Sequence, residues 1–151
     1  MKKITDALQA LSQLLKQIHL TPPDYQTHLL TERLYSPIDD EIDRIKENYL
    51  GYSGGTEIAQ ALGSLDEASK ILTEYPEEKP TLSDVIELEK IIIGYCNEQI
   101  KDIEAMKLAS SIKDNYSIKE TGQGIISMLS DIVEKRNRDI YLLSIGLGNF
   151  K

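Results

Sequence analysis

The chain has 151 residues, 40% of them apolar, and a formal net charge of −8, which fits one domain with its own core. The acid excess argues against general nucleic-acid binding, which needs clustered Lys and Arg, and the basic patch at the N terminus is only Lys2-Lys3. One cysteine, Cys96, excludes an intramolecular disulfide and a Cys-rich zinc site, and no signal peptide or long apolar run is evident, so a cytosolic, non-membrane protein is expected.

Helical periodicity runs through the sequence. Ile4, Leu8, Leu11, Leu15 and Ile18 recur at steps of three and four, which predicts a first helix over about residues 3–19. Thr21-Pro22-Pro23-Asp24 supplies a stop and a restart, with Thr21 as cap and Pro22 at a first helical position. The second helix is expected from Pro22 to Leu50, ending at Gly51. Pro37 falls inside it and removes a hydrogen bond, so it kinks the helix or restarts it with Ser36 as cap. A connector runs from Gly51 to Pro80, and inside it Ser64-Leu65-Asp66-Glu67 is a capping box opening a short helix. Thr81-Leu82-Ser83-Asp84 opens the third long helix, with Leu82, Val85, Ile86, Ile93, Cys96, Ile100 and Ile103 on one face. Ser117 or Thr121 opens the fourth, with Ile125, Leu129, Ile132, Ile140 and Leu143 as its stripe, closed by Gly146 and Gly148. No segment reads as a strand. Four long helices with short first and third turns and one long crossover give an all-α, ferritin-like four-helix bundle as a single domain over residues 1–151.

The chain's two histidines, His19 and His28, precede an acidic stretch at regular spacing. His28 and Glu32 are four apart, as are Asp43 and Glu47, so each pair shares a helix face. Mixed imidazole and carboxylate donors suit a transition metal better than Mg²⁺ or Ca²⁺. On a helical wheel the apolar stripe (Leu34, Ile38, Ile42, Ile45, Tyr49) centres about 280° from His28, while the donors fall between about 0° and 100°. They flank the core stripe, where a neighbouring subunit completes a site more naturally than the bundle interior does. The second half of the chain has no histidine, and so lacks the Glu-x-x-His pattern of bundle-core di-iron sites. Glu89, at the edge of the third helix's apolar face, is its one candidate core carboxylate. Cys96 reads as a small core residue, and Tyr25, Tyr35 and Tyr49 as packing residues.

The run His28-Leu-Leu-Thr-Glu32 followed by Asp43-Arg-Ile-Lys-Glu47 resembles the mini-ferritins, the Dps family, whose pattern there is His-x3-Asp, ten residues, Asp-x3-Glu. Glu32 stands in place of the first Asp. His19 resembles the histidine those proteins carry at the end of their first helix. The short gap from His19 to His28 is similar to that of ferritin-like proteins encoded by phages and large viruses. Glu47-Asn-Tyr-Leu-Gly51 and Ser130-Asp-Ile-Val-Glu-Lys135 are similar too. Leu20 replaces the Trp that often follows the first histidine, and the basic tail that some members use for DNA is absent. The resemblance implies iron as the metal, oxidised from Fe²⁺ by peroxide or oxygen, and a hollow homo-oligomer, a dodecamer. Its ferroxidase site would be shared by two subunits, with Asp43 and Glu47 facing His19, His28 and Glu32 of a two-fold mate. Two other readings stay open. One is a catalytically silent ferritin-like structural oligomer. The other is an all-α nucleotide pyrophosphohydrolase holding Mg²⁺ on carboxylates alone.

Overall fold

The computed structural model describes residues 1–53, 65–75, 79–112 and 116–148, and all regular structure among them is helical. Helix α1 spans Lys2–Leu20, α2 Tyr25–Tyr35, α3 Ile38–Ser53, α4 Leu65–Leu72, α5 Leu82–Ile112 and α6 Tyr116–Gly146. Among the described residues no helix is long and apolar enough to cross a membrane.

Helix α1 lies against α2, α3, α4 and α5, and its sequence explains why. Beyond the expected Ile4, Leu8, Leu11, Leu15 and Ile18, it also buries Ala7, Ala10 and Leu14. This widens its apolar face so that several neighbours pack on it, and the small alanines let their backbones come close. Helices α5 and α6 share the most extensive contact, and α3 and α2 also lie on α6. The N-terminal amine of Met1 donates to Gln99 Oε1 (3.3 Å) just past the middle of α5, while Ile18 and Leu82, the first residue of α5, line one cavity, so α1 and α5 run antiparallel.

The helix ends refine the sequence expectations. Thr21 closes α1 by donating its hydroxyl to Gln17 O (3.1 Å), and Asp24 caps α2 by accepting from Thr27 N (2.7 Å). The second segment therefore starts at Tyr25, because an aspartate three residues ahead of a free N–H is a better cap than Thr21. Pro37 divides it into α2 and α3. Ser36 does not cap α3; it keeps a right-handed helical conformation and donates its hydroxyl back to Glu32 O (2.6 Å), ending α2. The reciprocal box at the start of α5 forms as expected: Thr81 N donates to Asp84 Oδ2 (2.7 Å) and Asp84 N to Thr81 Oγ1 (3.3 Å). Helix α4 opens where the Ser64 box places it, although Ser64 lies outside the described residues, as do Gly54 and Gly55. Beyond α6, Gly148 adopts a φ of 75°, which lets the chain turn away from the helix.

On α5 the buried face is rotated from the expected one. Leu82, Val85, Leu88, Ile92, Cys96 and Ile103 are buried, whereas Ile86, Ile93 and Ile100 are only partly covered. Glu89 sits at the centre of that face, fully buried, and not at its edge.

Candidate functional site

The α1–α2 turn brings the two histidines face to face. Their rings stack with centroids 3.9 Å apart and planes inclined by 19°. Nδ1 of His19 lies 3.0 Å from His28 O, and Nδ1 of His28 lies 3.0 Å from His19 O. A carbonyl oxygen only accepts, so each Nδ1 carries the hydrogen and donates it. The lone pair of each neutral ring is then on Nε2. An imidazole whose Nδ1–H is fixed on a backbone carbonyl, with Nε2 left for a ligand, is the usual arrangement of a metal-binding histidine. Thr31 braces the pair by donating its buried hydroxyl to Thr27 O (2.8 Å) and His28 O (3.0 Å), and Tyr35 meets the His19 ring edge-on at 5.3 Å.

The three carboxylates of the sequence motif lie outside this pair. Glu32 on α2 and Asp43 and Glu47 on α3 are all exposed. Asp43 and Glu47 are one turn apart on one helix, as the spacing requires. His28 and Asp43 lie on separate helices, α2 and α3, on either side of the Pro37 break. Among the described residues no group of three or more His, Cys, Asp or Glu side chains is placed to hold a metal within one chain. The motif is thus split between the two helices, with the imidazoles and Glu32 on the α1–α2 side and Asp43 and Glu47 on α3. Leu20 and Tyr25 stand 78% and 72% exposed beside the histidines, and Leu29 on the next turn is exposed as well. Tyr25 therefore lies outside the core, its ring nearly parallel to that of His28 with centroids 6.2 Å apart. Tyr35 and Tyr49 are partly covered and Cys96 is buried.

A second polar cluster occupies the interior between α3, α5 and α6. The Arg136 guanidinium is 0% exposed and touches three carboxylates. Nε is 3.2 Å from Glu89 Oε2, and Nη2 is 3.1 Å from Glu41 Oε1 and 3.3 Å from Asp139 Oδ2. Lys135 also donates to Glu41 Oε1. Burial pushes the Glu89 carboxyl up to about 8, against the pull of Arg136, and also raises that of Asp139. The periodicity carries a signal for this cluster. Steps of three and four from Ile125 and Leu129 through Ile132 land on Arg136, Asp139 and Leu143, and those from Val85 land on Glu89 and Ile92. These charges occupy core positions of their helices.

Comparison of the chain with family models, curated proteins and solved structures gives no match.

Proposed function

We propose that the chain is a ferritin-like four-helix-bundle protein of the mini-ferritin type, which binds Fe²⁺ and oxidises it at a site shared between two subunits. The observation that carries this reading is the histidine pair. Both Nδ1–H groups are tied to backbone, both Nε2 lone pairs remain, and the spacing of Glu32, Asp43 and Glu47 matches the motif. A second copy, related by a two-fold axis, would lay Asp43 and Glu47 against His19, His28 and Glu32. Carboxylates favour Fe³⁺, imidazoles hold Fe²⁺, and open positions admit the oxidant. Exposed Leu20, Tyr25 and Leu29 beside the histidines support a covered surface there. Among the described residues the interior acids Glu41, Glu89 and Asp139 already surround a guanidinium. For the same reason those acids are unsuited to the Mg²⁺ of a pyrophosphohydrolase.

The silent structural oligomer is the second reading, and one observation favours it. The reciprocal histidine bonds also tie the end of α1 to α2, a structural task that needs no metal. The experiment that separates the two combines size and kinetics. Twelve copies of 17.0 kDa give about 204 kDa for a closed shell. Light scattering at that mass, with fast Fe²⁺ oxidation that Glu47→Gln abolishes and Glu67→Gln leaves intact, supports the iron reading. The same mass with no effect of Glu47→Gln assigns the structural one, and a monomer removes both.

A further inference from the structure

The interior cluster has more acid than base. Glu41, Glu89 and Asp139 face Arg136 and Lys135, which leaves one negative charge more than these two cations balance, and Glu89 and Arg136 are fully buried. The hydrogen bonds show where the shortfall falls. Glu41 Oε1 accepts from both Lys135 and Arg136. Glu41 Oε2 and Asp139 Oδ2 lack a hydrogen-bond partner, but of the three acids only Glu89, 3.2 Å from Arg136 Nε, lacks one on both oxygens, and Arg136 Nε and Nη1 are likewise without one. A fully buried carboxylate in that state is strongly disfavoured, and a protonated one far less so.

We propose that this cluster is a proton-linked lock, in which one proton held on the Glu89 carboxyl when α3, α5 and α6 close together is released as they part. The groups facing Glu89 are Arg136 and Asp139 from α6, with Glu41 of α3 and Lys135 completing the cluster behind the guanidinium. Arg33 of α2 acts on Asp139. From α1, Ser12 buries an uncharged, unpartnered hydroxyl, and its buried acid Asp6 lies nearer the N terminus. A pocket of about 280 Å³, lined by Glu41, Lys135 and Arg138 among others, gives the cluster its route to water.

The consequence has a definite sign. Glu89 holds its proton up to about pH 8 in the folded chain, against an ordinary value of 4.5. Between those values the folded state binds the extra proton, so stability is full below 4.5 and is lost as pH rises toward 8. Lys135, lowered to about 8 by burial, acts in the opposite sense at higher pH, so the test stays at or below pH 8.

The test is urea denaturation of the full chain at pH 5, 6, 7 and 8, wild type against Glu89→Gln. The expected result is a wild-type midpoint that falls steadily across the series, and a shallower fall or none in the variant, so that the gap between the curves closes or reverses by pH 8. Parallel curves would overturn the proposal. If Glu89→Gln does not fold, infrared spectroscopy of the wild type replaces it. The C=O stretch of a protonated carboxylic acid, present at pH 6 in wild type and retained in Asp139→Asn, supports Glu89 as its source, and a spectrum without it at pH 6 contradicts the lock.

Discussion

Replacing Arg136 with Met keeps most of the side-chain volume and removes the one cation that reaches three carboxylates. At pH 7 the structure limits what is stranded. Glu89, neutral with its proton in place, strands no charge when it loses the guanidinium, and Glu41 retains Lys135. Asp139, almost fully buried, is left as the main uncompensated charge. Breaking a buried pair in this way costs about 3–5 kcal/mol, and one stranded charge places Arg136→Met near the lower end. With a urea dependence of about 2 kcal/mol per molar, the midpoint should drop by roughly 1.5 M. Total stabilities of about 5–15 kcal/mol leave such a variant folded in buffer. The triple variant Arg136→Met, Glu89→Leu, Asp139→Leu removes the charges together, and should recover most of the loss because no ion is left unpaired. A single variant with a wild-type midpoint would refute the reasoning, since it would mean that the carboxylates find water or other partners without the guanidinium.

The rotated face of α5 makes a second test: Leu88→Ala should cost about 2–5 kcal/mol by denaturant titration, and Ile86→Ala, half-covered, distinctly less. Equal costs would restore the face expected from the sequence. DNA binding should be negligible at physiological salt, because a chain of charge −8 releases few counterions; a submicromolar gel shift at 150 mM salt would contradict this.

The helices were legible because their apolar residues recur at helical steps, and because Thr81 with Asp84 forms the reciprocal cap its spacing announces. The break at Pro37 was legible from proline chemistry alone. The role of Ser36 was not, since a serine beside proline serves equally well as a cap for the next helix or as a donor to the last carbonyls of the previous one. The α5 face was misplaced because apolar residues spread over more than half of the helix circumference between Val85 and Ile93, so periodicity does not fix the angle of the buried face within that arc. Glu134-Lys135-Arg136-Asn137-Arg138-Asp139 reads as a solvated face when taken as composition; only its phase against Ile132 and Leu143 marks Arg136 and Asp139 as interior. At the histidines, spacing paired His28 with Glu32, whereas the stacking of His19 on His28 and the exchange of Nδ1–H bonds between two backbone carbonyls depend on the turn geometry, which no local pattern encodes.

The shared site is tested most directly by mixing two defective subunits. His28→Ala lacks an imidazole but keeps Asp43 and Glu47, and Glu47→Gln lacks a carboxylate but keeps both histidines. Each alone should oxidise Fe²⁺ no faster than the uncatalysed reaction. Co-assembled at equal amounts, half of the two-fold pairs are mixed and each of these contains one intact site of two, so oxidation should return to about a quarter of the wild-type rate. A mixture of confirmed co-assemblies that stays as inactive as its parents would contradict a site built from two subunits.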